Sequence, residues 1–183
     1  MSAFRNHADR ASSEDLQMRL AKRLRQIDTG ERSVSSWMAV EIGRRSLLLP
    51  LSHASELLQW QRPTPVPYTK PWFMGIVSWR GDIFGLIDAA RFLDADSPSR
   101  SEQALSQCHL LTFNPALEIN AALLIDTVTG LKSVNDFEAA HAPMPNSAPA
   151  FMGNIYTDLQ GKLWQELNLQ AFAQQPEFLS IRL

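Results

Sequence analysis

PWFMGIVSWRGDIFGLIDAARFL, residues 71–93, reads as strand, tight turn, strand and short helix. Two apolar runs, 73–79 and 83–87, flank Arg80-Gly81-Asp82. Gly81 tolerates the positive φ that a short hairpin connection needs, and the β-branched and aromatic flanks suit a pleated, buried surface. Both runs are apolar at successive positions, so neither face is marked for water. That predicts a central placement, inside a barrel or between packed layers.

The same design recurs later in the chain. Phe151-Met152-Gly153 repeats Phe73-Met74-Gly75, and two residues of additional loop bring Gly161 into register with Gly81. Lys162-Leu163-Trp164 then answers Asp82-Ile83-Phe84, and residues 169–173 answer the short helix at 89–93. Prolines stud the approach to each copy: Pro63, Pro65, Pro67 and Pro71, then Pro143, Pro145 and Pro149. The chain is read as duplicated.

A length of 183 residues suits one ordinary domain, or two small barrels sharing a core. A hydrophobic content of 45% with 20% charged residues describes a globular chain. The net charge of -2 argues against nucleic acid as a partner, since phosphates need a basic face. Cys108 has no second cysteine to pair with, and residues 1–15 lack the apolar segment of an export signal, so a reduced, cytoplasmic protein is expected. No apolar run approaches the roughly 20 residues that cross a bilayer, so membrane association is expected only through partners.

Residues 12–30 predict an amphipathic helix, with Ser12 as cap, Asp15 as the reciprocal acid, Gly30 as stop, and Leu16, Leu20, Leu24 and Ile27 on one face. Packing on its own domain and docking to a partner helix both suit that face. Residues 1–33 are taken as an N-terminal extension and residues 34–183 as the folded domain, whose body begins at Trp37. A first hairpin turns at Gly43-Arg44, and residues 52–58 read as a short helix capped by Ser52, with Ala54, Leu57 and Leu58 inward and Glu56 away from the core. The proline-rich residues 62–71 read as a stiff connector inside the fold. Residues 94–107 form a polar loop between the halves. Strands follow at 108–113 and 119–125, and residues 126–134 take the place of the first half's helix with a more strand-like composition. Residues 138–150 read as a long Ala/Pro loop. After the second hairpin a helix opens at Asn168 and is closed by Pro176. Leu179, Ile181 and Leu183 alternate like a strand that can add to a sheet edge, at home or on a partner.

Recognisable catalytic patterns are missing. His7, His53, His109 and His141 lie apart from other ligand-type residues, so no metal site is expected. Gly75, Gly81 and Gly85 are spaced as strand and turn glycines, and no phosphate loop or nucleophile elbow appears. Asp88 and Asp126 each follow an apolar strand, where capping a turn or helix is the expected role rather than acid/base work. Arg80-Gly81-Asp82 is turn chemistry. No catalytic residue and no cofactor is expected, although a composite site built from separated residues leaves a small β-barrel enzyme as an alternative.

These motifs resemble the CheW-like coupling proteins of bacterial chemosensory systems. The resemblance rests on Phe73-Met74-Gly75-Ile76-Val77, Ser78-Trp79-Arg80-Gly81, the strand 83–87 ending in Asp88, the helix 89–93, and Leu123-Leu124-Ile125-Asp126 followed by Val128 and Gly130. The chain departs from the family pattern at Ser78-Trp79, where Asn-Leu is usual, and in the polar strand Trp164-Gln165-Glu166-Leu167. With the extended amino terminus, these departures are most similar to the branch associated with type IV pili and twitching. The resemblance implies a mainly β fold: two intertwined SH3-like five-stranded β-barrels around a shared core, with short helices and the N-terminal helix. It implies a non-enzymatic adaptor coupling the cytoplasmic tip of a methyl-accepting chemoreceptor to the regulatory domain of a CheA-type histidine kinase, recruited to membrane receptor arrays through those partners, with a structural or assembly factor of the pilus machinery as the alternative. Carried over residue by residue, it places Arg80, Gly81, Glu56, Ala54, Met74 and Gly75 at or near the contacts.

Overall fold

The computed structural model describes residues 36–143 and 148–183, and the predicted helix at 12–30 lies outside them. Chain order begins with the hairpin β1 (Ser36–Ile42) and β2 (Arg45–Pro50), then a 3-10 turn at Leu51–His53 and β3 (Ala54–Gln59). The hairpin β4 (Phe73–Trp79) and β5 (Asp82–Ile87) follows, with α1 (Ala89–Leu93) behind it. After α2 (Glu102–Leu105) come β6 (His109–Phe113), β7 (Ala121–Ile125), β8 (Thr127–Ser133) and β9 (Phe137–His141). The second Gly-punctuated hairpin, β10 (Met152–Asp158) and β11 (Leu163–Leu167), leads into α3 (Leu169–Ala173) and α4 (Pro176–Leu179).

The strands make two mixed sheets, ordered β8-β1-β2-β11-β10-β9 and β3-β6-β7-β5-β4. Apart from β9, which has no counterpart, the orders match strand for strand once the halves are interchanged. Hairpin β1-β2 stands where β6-β7 stands, β11-β10 where β5-β4 stands, and β8 where β3 stands. Parallel pairing joins β2 to β11 and β7 to β5. The third strand of each half leaves its own hairpin for the other half's: β3 pairs with β6, and β8 with β1. One half alone therefore completes neither sheet.

Because each sheet buries both faces, its strands need apolar residues at successive positions. One face of each contributes to a shared core that includes Met38, Val40, Leu49, Ile87, Leu111, Phe113, Leu123 and Leu167. The other face of the five-stranded sheet buries Leu58, Val77, Leu86, Leu110 and Leu124, and that of the six-stranded sheet buries Trp37, Ala39, Leu48 and Trp164. Equivalent residues meet at the centre: Phe92 of α1 and Phe172 of α3 lie edge to face with centroids 4.6 Å apart. Both helices start alike, Asp88 accepting from the Arg91 N–H and Asn168 from the Ala171 N–H.

Several expectations are corrected. Of the short helix expected at 52–58, residues 54–58 belong instead to strand β3 (Ala54–Gln59). A register shift between Ala54 and Leu57 in its pairing with β6 gives the apolar residues a helix-like spacing. Part of the expected loop at 138–150 is β9, whose ladder with β10 supplies what its alanines lack in strand preference, and it raises one sheet to six strands. Pro176 opens α4 rather than only closing α3, since a first-turn proline forfeits no helical bond. Strand β5 is interior as expected, but β4 lies at an edge, covered by Thr64, which exchanges two backbone bonds with Ile76 at 2.8 and 2.9 Å. The proline-rich stretch is thus a connector inside the fold. Residues 127–133 are strand, as their composition suggested. The tail pairs at home: the Lys70 N–H donates to the Ile181 carbonyl, and the Leu183 N–H to Tyr68.

Candidate protein-interaction site

Trp79 and Asp82 pair across the β4-β5 hairpin, leaving Arg80-Gly81 as a two-residue connection. Both residues have positive φ, 51° and 92°, which fits the mirror-image turn matching the right-handed strand twist. Glycine adopts this freely, whereas for an arginine the left-handed backbone costs about 1–2 kcal/mol. The arginine side chain has compensating partners. Arg80 Nη1 donates to Glu56 Oε1 at 3.0 Å, and its guanidinium carbon lies 5.6 Å from the Trp79 ring centroid. Trp79 Nε1 donates to the other oxygen, Glu56 Oε2, at 2.8 Å. The Arg80 side chain is 70% exposed and that of Glu56 37%, so the pair is worth less than about 1 kcal/mol to the fold. It is a surface feature held in one pose.

Arg80, Gly81 and Glu56 therefore converge at one hairpin end, although β3 and β4 occupy opposite edges of their sheet. The other expected residues sit apart from it. Ala54 is fully buried in the shared core. Met74 packs partly buried against the far-face cluster. Gly75 is buried with φ at 129°, and a Cβ there would come within 2.2 Å of the Thr64 carbonyl oxygen. Its role is to let the proline connector lie against β4.

Exposed aliphatic residues mark both hairpin ends. Ile83 is 58% exposed and its counterpart Leu163 60%, a pairing already present in the sequence repeat. The second end adds exposed Leu159, while Lys162, its side chain 45% exposed, lies across the Trp164 ring, its Nζ 4.3 Å from the centroid and 2.6 Å from Glu41 Oε1. Beneath it Asp158 accepts from Trp164 Nε1 at 2.8 Å and from the Lys162 and Gln160 N–H groups. The Trp164 bond leads these in holding its carboxyl below the ordinary range. One end thus offers a largely exposed arginine and an isoleucine, the other two leucines beside a half-exposed lysine. A cleft of about 480 Å³ lies between the halves, lined by Arg45, Phe92, Phe151, Met152, Gln165 and Glu177 among others.

The ionisable groups with displaced pKa values do not line that cleft. Asp88 caps α1 as expected, whereas Asp126 is followed directly by β8 and accepts instead from the Gly43 N–H of the distant first hairpin turn at 2.6 Å. Sequence reasoning missed Arg100, which joins them: its Nη1 donates to Asp88 Oδ2 at 2.6 Å, its Nη2 to Asp126 Oδ2 at 2.9 Å, and its Nε to Asp126 Oδ1. Burial opposes charge on Asp126, but Arg100 and the Gly43 N–H overcome it and hold the carboxyl below its usual range. Burial, reinforced by the Asp126 charge, pushes the Cys108 thiol up to about 11, which leaves it protonated and unreactive at neutral pH. This cluster ties the inter-half segment to both halves. Among the described residues no group of His, Cys, Asp and Glu has the arrangement of a metal site, and no helix is long and apolar enough to cross a membrane.

Interlocked sheets with two unlike exposed ends, and ionisable groups engaged in structural bonds, suit a protein-binding module. Residues 36–177 match the CheW-like domain, and the chain belongs to that family. It is 24% identical over 172 residues to Protein PilI of Pseudomonas aeruginosa, spanning 91% of this chain and 92% of that one. The fold is that of the scaffolding protein TtCheW from Thermoanaerobacter tengcongensis, with a TM-score of 0.63 at 18% identity over 79% of this chain and 95% of the other. CheW-like proteins are non-enzymatic adaptors that couple CheA kinases to chemoreceptors, and this chain is an adaptor of chemosensory signalling.

Proposed function

We propose that this protein joins the cytoplasmic tip of a methyl-accepting chemoreceptor to the regulatory domain of a CheA-type histidine kinase, in a cytoplasmic pathway controlling type IV pilus twitching. Recruitment to membrane receptor arrays then comes through the partners. The similarity to PilI supports the pilus assignment. The observation carrying the reading is the first hairpin end, where an exposed arginine in a costly backbone conformation is oriented by Glu56 beside an exposed isoleucine. Backbone strain of this kind collects where binding needs it. In this reading Arg80, Gly81 and Glu56 touch the kinase, while Ala54, Met74 and Gly75 shape the surface from behind. Residues 34–183 act as the adaptor domain, and residues 1–33 as an extension to it.

Paired SH3-like barrels also fit these contacts. Flat, the five-stranded sheet would hold β3 and β4 about 19 Å apart, yet Glu56 and Trp79 are hydrogen-bonded. Strands β8 and β9 stand at opposite edges of the other sheet, about 24 Å apart if flat, and the turn at Val134–Asp136 that joins them spans at most about 14 Å.

Reconstitution with the receptor signalling domain and the CheA-type kinase of the same organism tests the function. The protein alone shows no turnover, and its addition raises receptor-dependent autophosphorylation. Arg80→Ala weakens kinase capture in a pull-down; undiminished capture of kinase and receptor alike rejects the site.

A further inference from the structure

Where the coupling-protein pattern carries leucine this chain carries Trp79, and the substitution adds two contacts that leucine cannot make. The indole N–H occupies Glu56 Oε2, leaving Oε1 as the oxygen that receives Arg80 Nη1. The indole face underlies the guanidinium at 5.6 Å. Trp79 itself is seated, packing partly buried against the far-face cluster of Leu58, Val77 and Leu86. An exposed Glu–Arg pair joined by one bond otherwise spends its small attraction on ordering two long side chains. Here the carboxylate is held at its second oxygen and the arginine stem begins from a fixed turn. No other described residue takes Arg80 Nε or Nη2, and the side chain is 70% exposed.

We propose that Trp79 is a positioning residue: by fixing Glu56 and supporting Arg80, it presents the unoccupied edge of the guanidinium to an aspartate or glutamate carboxylate on the docked kinase domain. The inference rests on the function proposed above. A planar fork suits a carboxylate through two parallel N–H bonds, and the benefit of that geometry depends on the fork being oriented beforehand. Trp79 thereby becomes a residue that sets partner preference in this chain.

Calorimetric titration of the kinase regulatory domain tests this with Trp79→Phe, which keeps the ring and removes the N–H, and Trp79→Leu, which removes both contacts. Each is measured alone and combined with Arg80→Ala, with thermal unfolding alongside. Trp79→Phe is expected to weaken binding about 10-fold, the lower end of the scale of one hydrogen bond to a charged group, and Trp79→Leu further. Both effects vanish in the Arg80→Ala background, where nothing is left to position. Equal losses with and without Arg80, or a lowered melting temperature with unchanged affinity, overturn the inference. If Arg80→Ala alone leaves kinase affinity intact, the docking site itself is wrong. If Arg80→Ala weakens binding and Trp79→Phe does not, only the role of Trp79 fails.

Discussion

Arg100 is one cation holding two carboxylates that the fold has largely removed from water. Replacing it with methionine keeps most of the buried stem, leaves Asp126 without a cationic partner and leaves Asp88 only Arg91 Nε at 3.9 Å, an effect of about 3 kcal/mol at pH 7. The sign of the pH dependence follows from Asp126. In the native protein its pKa lies below the unfolded value of about 3.9, so it contributes stability above that pH and loses it as pH falls through the folded value. Without Arg100, burial of Asp126 is opposed only by the Gly43 N–H and the Cys108 thiol, so its folded value is expected to rise and the penalty to grow as pH rises from about 4 towards 7. Urea unfolding of Arg100→Met at pH 4.5 and pH 7 should therefore show the smaller loss at pH 4.5; equal losses would remove Asp126 from the explanation. The sequence displayed the two aspartates, because each closes an apolar strand. It hid Arg100, because an ion pair joining residues 12 and 26 positions apart leaves no local pattern. Ile83 and Leu163 were in view as repeat partners, but their exposure depends on where each hairpin leaves its sheet.

Within the hairpins, two glycines of the first copy do different work. Gly81 at φ 92° has open space around it, so Gly81→Ala carries only the backbone cost of about 1–2 kcal/mol. At Gly75 the same methyl meets the Thr64 carbonyl at 2.2 Å and the connector backbone behind it, which cannot swing aside as a long side chain would. Gly75→Ala should lower the melting temperature well beyond Gly81→Ala, and fluorescence-monitored melts of the two variants compare them directly. A matching loss would mean that the connector yields. Gly81 was readable from the turn it must make. Gly75 was visible only as a repeated residue, since its neighbour Thr64 comes from across a proline-rich detour. Strand β3 was misread because adjacent Leu57 and Leu58 serve opposite faces, and a bulge shifted their spacing from Ala54.

The duplication was legible because two copies of one hairpin carry the same punctuation. The exchange of β3 and β8 was not, since a strand's residues do not say whose hairpin it will join. That exchange predicts the behaviour of a cut chain. With a protease site placed at exposed Ala95, in the segment between α1 and α2, cleavage should leave the two fragments eluting together and parting only in urea. Fragments that separate in native buffer would show that the halves hold their own strands.

An adaptor made of two modules on a tether raises the local concentration of its partners but leaves the angle between them free. In this protein each sheet contains a strand begun in the opposite half, so turning one hairpin end relative to the other requires ladder bonds to break. On the proposed function, a partner docked at the first end is then held at a set bearing to the rest of the molecule, as by a bracket, its angle set by the interlock rather than by a tether.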